Sequence, residues 1–90
     1  PASERWLTLI DAPSALSHAW LRNNGINRQR MLLLQSRGAQ RAVELASEAL
    51  RLGRSHTVIS WINPLDRQAR KTLTAAAIEG RSQSLNIGLG

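Results

Sequence analysis

Short apolar runs alternate with stretches of helical periodicity along the whole chain, and this alternation is what most restricts the fold. Read in order it gives β-α-β-α-β-α-β, the pattern of a mostly parallel sheet of at least four strands covered by helices in three layers. The first run, Arg5 to Ile10, is too short for a buried helix and carries enough large apolar side chains for a strand. Asp11, Pro13 and Ser14 then signal the start of a helix that places Leu16 and Trp20 at i and i+4, with Gly25 as its stop. Met31 to Gln35 is continuously apolar over its first four residues, which predicts burial on both faces and hence a central strand.

After Gly38, a helix over 39–52 is predicted by the apolar stripe of Ala42, Val43, Ala46, Ala49 and Leu50, with Arg41, Glu44, Glu48 and Arg51 facing elsewhere. Gly53 ends it. Thr57 to Ile62 is β-branched and aromatic, a third strand. Asn63 reads as the cap of a last helix with Pro64 at its first position, running to about Glu79 with Leu65, Ala69, Leu73 and Ala76 on one side and Gly80 as the stop. Leu85 to Leu89 is a weaker fourth strand. No linker or repeat divides the pattern, so residues 1–90 form one domain, and short connections of this kind predict right-handed crossovers.

The chain has ninety residues and no cysteine, so packing alone must hold it. No stretch approaches the roughly 18–20 apolar residues of a membrane span, and the first residues do not read as a secretion signal. The expectation is a soluble, cytoplasmic protein without membrane association. Twelve basic residues, eleven of them arginine, outnumber six acidic ones. Arg22, Arg28, Arg30, Arg37 and Arg41 fall in a segment without an acid, which suits a negatively charged partner, whether an acidic protein face or nucleic acid, or else a solvated surface.

Few residues suggest chemistry. His18 and His56 are far apart in sequence, and neither has Cys or paired carboxylates at metal-ligand spacing. Asp11, Ser14 and His18 form a short-range Asp/Ser/His set, but Asp11 and Ser14 are explained as cap or turn residues. No metal and no cofactor is expected.

Leu9-Ile10-Asp11-Ala12-Pro13-Ser14-Ala15-Leu16 resembles the strand and turn of the RecA ATPase core, and Glu48 to Gly53 followed by Val58-Ile59 resembles the helix and strand that lead to its Walker B acid. Where that family carries a catalytic glutamate this chain has Pro13, and where it carries the Walker B aspartate this chain has Trp61, which cannot hold Mg²⁺. No G-x-x-x-x-G-K-[ST] occurs. The resemblance therefore implies a RecA-like core without a P-loop and without ATPase activity.

Arg5-Trp6, the run His18-Ala19-Trp20-Leu21 leading to Gly25, and Ala49 to Gly53 leading through Val58-Ile59 to Trp61 together resemble the SulA-type cell-division inhibitors, in wording like the Pseudomonas form. Ala75-Ala76-Ala77, Glu79-Gly80 and Leu85-Asn86-Ile87 continue the likeness. The resemblance implies no enzyme activity. It implies instead SOS-induced inhibition of septation by binding FtsZ monomers on the face whose loop completes the neighbour's GTPase site. It maps partner binding onto Arg5, Ile10, Trp20 and Arg30, with Arg28 as an auxiliary contact. From the residues alone, Ile10 and Trp20 also read as core, Arg5 and Arg30 as solvated charges beside strands, and Trp6 and Trp61 as core.

The family pattern further implies degradation of the full-length protein by the Lon protease through a C-terminal tail, and the chain reads as a core trimmed at both ends. Exposed strand edges leave a homodimer open. Two alternatives remain: an ATPase-dead accessory protein of mutagenic DNA repair, and a basic nucleic-acid-binding domain. The second is weakened by the scarcity of aromatic stacking platforms.

Overall fold

The computed structural model describes residues 5–13 and 30–87. Four strands, β1 (Trp6–Ile10), β2 (Met31–Leu34), β3 (Ser55–Ser60) and β4 (Gln83–Asn86), form one sheet in the order β2-β1-β3-β4. Every adjacent pair is parallel. The described helices are α1 (Ala39–Leu52) and α2 (Arg67–Gly80). The helix expected from Asp11 to Gly25, with its contribution of a third layer, falls mainly on residues outside those described.

Opposite residues in register share a face. Thr8, Ile10, Leu34, Val58 and Ser60 therefore lie on one side of the sheet. Here α1 contributes Ala42, Ala46 and Leu50, and α2 contributes Leu73 and Ala76, to a core with Ile10, Val58 and Ile62. The i, i+4 spacing of Ala42, Ala46 and Leu50 explains the geometry, because the two alanines let the helix lie close to the strands. Val43 and Ala49 border the stripe, half-buried, so the predicted apolar face of this helix is the observed one.

Among the described strands, the one predicted to be central is not. β2 lies at one margin of the described sheet, and Leu32 and Leu33 are 43% and 47% exposed. The interior strands are β1 and β3, where Thr8, Leu9, Ile10, Val58 and Ser60 are all buried. A continuous apolar run reports the preference of the strand's own side chains, whereas its place is set by which strands pair with it.

Several boundaries also move. β3 begins at Ser55, and Trp61 and Ile62 lie beyond its end. Asn63 does not cap the last helix: Asp66 does, its Oδ1 accepting from the Ala69 N–H at 2.7 Å. Gly80 is the last helical residue, and Arg81 in the left-handed region (φ 52°) closes the helix. Gly80 is needed for a different reason from the one its position suggests, since a Cβ there would lie 1.7 Å from the Leu50 carbonyl oxygen. β4 occupies Gln83–Asn86, two residues earlier than the predicted strand begins.

Candidate partner-binding surface

In a parallel sheet all strands begin at one edge and end at the other, so residues just before strands gather at one rim. A sheet ordered 2-1-3-4 reverses direction between β1 and β3, and enzymes of this architecture bind ligands outside the carboxyl ends of strands at such a switch point. Both edges are thus candidate sites.

At the carboxyl edge polar side chains tie neighbouring strand ends together. Asp11, in the left-handed region (φ 61°), accepts from the Ser36 N–H at 2.6 Å and from the Ser36 hydroxyl, tying the end of β1 to the end of β2. Across the sheet, Asn86 Oδ1 accepts from the Ser60 hydroxyl at 2.9 Å and the Ile62 N–H at 2.8 Å, and its Nδ2 donates to the Ile62 carbonyl at 3.1 Å. Pro13 and Trp61 stand after β1 and β3, and neither can bind a metal or activate water. A groove of about 500 Å³ beside β4 is lined by Leu65, Leu73, Leu85 and Asn86, with Arg70 as its single charged group, so it offers no acid–base pair. Among the described residues no group of three metal-ligating side chains occurs, and no helix is long and apolar enough to cross a membrane.

At the amino edge the dominant feature is Arg5. Its Nε donates to the Gly53 carbonyl at 3.0 Å, and Nη2 lies 2.8 Å from the Ser55 carbonyl, 3.2 Å from that of Gly80, 2.9 Å from that of Arg81 and 3.0 Å from the Ser82 hydroxyl. These acceptors include the terminal carbonyls of both helices, where unsatisfied C=O groups concentrate negative partial charge. One guanidinium therefore neutralises two helix ends and binds them to the start of β3. Ser82 completes the knot, its hydroxyl lying 3.0 Å from the Leu50 carbonyl and 2.8 Å from that of Ser55.

The structure brings two of the expected partner-binding residues together and separates a third. Arg5 and Arg30 precede the neighbouring strands β1 and β2, so both stand at the amino edge, Arg30 exposed and Arg5 half-buried. Ile10 lies at the other end of β1 with 0% exposure, inside the core among Ala42, Ala46 and Val58. Ile10 is therefore corrected from a contact residue to a packing residue, because a partner cannot reach a side chain with no accessible surface. Trp20 and Arg28 lie outside the described residues. Sequence reasoning missed Gly80 and Ser82 as members of the Arg5 knot, and no local signal marks them, since their partners are distant in sequence.

These features define a class: a parallel α/β domain whose strand ends are tied in pairs, β1 to β2 and β3 to β4, by polar side chains at the carboxyl edge. The chain belongs to the SulA family of cell division inhibitors, whose model, Cell division inhibitor SulA, matches residues 2–84. It is 60% identical over 86 residues to the cell division inhibitor SulA of Pseudomonas aeruginosa, covering 96% of this chain and 53% of that protein. The SulA of Edwardsiella piscicida is 33% identical over 81 residues, covering 90% of this chain and 48% of that one. The chain thus spans about half the length of these curated relatives. The crystal structure of SulA from Pseudomonas aeruginosa superposes with a TM-score of 0.87 at 60% identity, covering 97% of this chain and 73% of that one.

Proposed function

We propose that this chain is the core of an SOS-induced, cytoplasmic division inhibitor that binds FtsZ monomers and acts without catalysis. It holds the monomer by the face whose loop completes the neighbour's GTPase site, so the bound monomer neither extends a filament nor supports GTP hydrolysis. The full-length protein is removed by Lon.

The observation that carries this reading is the 60% identity to a SulA across nearly the whole described fold, joined to a TM-score of 0.87. The carboxyl edge supports it, since Pro13 and Trp61 stand where the RecA resemblance would need acids for ATP chemistry. Arg30 of the expected set is exposed at the amino edge, where an arginine can pair with a partner's carboxylates.

The test is GTP-driven FtsZ assembly, read by pelleting and phosphate release, with the protein titrated from below to above equimolar. Both signals should fall together and vanish near a ratio of one. Unchanged assembly at excess, with a folded protein, would sink the proposal.

A further inference from the structure

Each described strand is preceded by an arginine: Arg5 before β1, Arg30 before β2, Arg54 before β3 and Arg81 two residues before β4. Because all pairings are parallel, the four stand on one rim, in the spatial order Arg30, Arg5, Arg54, Arg81. Strands about 4.8 Å apart make the row about 15 Å long. Arg30, Arg54 and Arg81 are exposed. The guanidinium of Arg5 is engaged with four carbonyls and a hydroxyl, as described above. Those contacts cancel the negative ends of two helices that would otherwise oppose an anion at this rim.

Arg81 also closes α2 as its left-handed cap. Its backbone sits at φ 52°, a conformation that glycine adopts without strain and that L-residues with a Cβ resist. Glu79, the nearest acid in sequence, lines the groove between the two helices with Arg51 and Lys71.

We infer that Arg54 and Arg81, with Arg30, form the contact row for an acidic protein segment, while Arg5 holds the rim together from within. This rests on the FtsZ reading and names where that partner's carboxylates dock. Three arginines over this span match two or three bidentate carboxylate pairs. They are few for nucleic acid, where tight binding draws on roughly six to ten phosphate contacts.

The experiment measures FtsZ affinity, its salt dependence and the thermal midpoint for wild type, Arg54→Glu, Arg81→Gly and Arg67→Glu, the last an exposed position at the opposite edge with the same charge change. Arg54→Glu should weaken binding about tenfold or more and flatten the salt dependence. Arg81→Gly should weaken binding while the thermal midpoint holds or rises, since backbone strain is relieved. Arg67→Glu should bind like wild type.

Wild-type affinity in both Arg54→Glu and Arg81→Gly would overturn the contact row, as would an equal loss in Arg67→Glu. So would a row whose loss abolishes binding to a short DNA duplex yet leaves FtsZ binding intact. Failure of the wild type to bind FtsZ overturns the proposed function itself, and this inference with it.

Discussion

Gly80→Ala tests the packing of the two helices with a sign that cannot be mistaken. In an unobstructed helix this change stabilises by about 1 kcal/mol, because glycine gives up more backbone freedom on folding. Here the new Cβ would stand 1.7 Å from the Leu50 carbonyl oxygen, 2.8 Å from its carbon and 3.0 Å from the Arg51 carbonyl oxygen. All three are backbone atoms, so no side chain can swing aside. Reaching ordinary van der Waals contact requires the helix ends to part by about 1.5 Å or more. That movement strains the Ser82 hydroxyl's approach to Leu50 and the Arg5 contacts that span Gly53 and Gly80.

Overpacking of this kind costs about 1–3 kcal/mol, and the weakened hydrogen bonds add about 1–2 kcal/mol. After the propensity gain, a net loss of about 2–3 kcal/mol is expected, or a fall in thermal midpoint of roughly 10–20 °C for a domain this size. Urea unfolding followed by tryptophan fluorescence and circular dichroism reads it directly. Ala75→Gly, at an exposed position within α2, calibrates propensity alone and should lose about 1 kcal/mol. A Gly80→Ala protein as stable as wild type, or more so, would show that the helices do not meet as described.

Arg5→Leu should cost about 2–3 kcal/mol, since charge-assisted bonds to both helix ends are lost. Its urea midpoint should fall well below that of Arg54→Leu, whose side chain is exposed. Leu33→Asp should be tolerated with a loss of about 1–2 kcal/mol, because Leu33 is 47% exposed, whereas Val58→Asp at 0% exposure should leave no cooperative transition. Asn86→Leu should cost about 2–3 kcal/mol by stranding the Ile62 N–H and C=O. Equal thermal melts for Asn86→Leu and wild type would refute the clamp.

The helices were legible because their signal is local. Ala42, Ala46 and Leu50 recur at helical spacing, and Gly53 ends the run in the left-handed conformation (φ 74°). The existence of four strands was legible for the same reason. Strand order was not, since Met31 to Leu34 reads as apolar whether it lies inside the sheet or at its margin.

The candidate site was legible only in part. Arg5 reads as a solvated charge because its acceptors lie 48 to 77 residues away. Gly80 reads as a helix stop because a close approach between helices leaves no local trace. Ile10 carried two readings at once, and only burial separated them.

The division of labour between the two sheet edges follows from those same long-range contacts. A parallel sheet aligns its strand termini, so a fold of this type presents one edge suited to nucleotides and another that is ordinarily structural. In this chain Asp11–Ser36 and the Asn86 clamp tie neighbouring strand ends together at the carboxyl edge. The amino edge holds an internal cation, Arg5, that offsets two helix ends, with exposed arginines around it. The residues at the two edges are separate, and each set can be changed separately. If the proposed arginine row makes the partner contact, acids placed at Pro13 and Trp61 should leave binding untouched, because the row lies at the opposite ends of the strands. ATP hydrolysis should not appear in that variant either, since the chain supplies no phosphate-cradling loop.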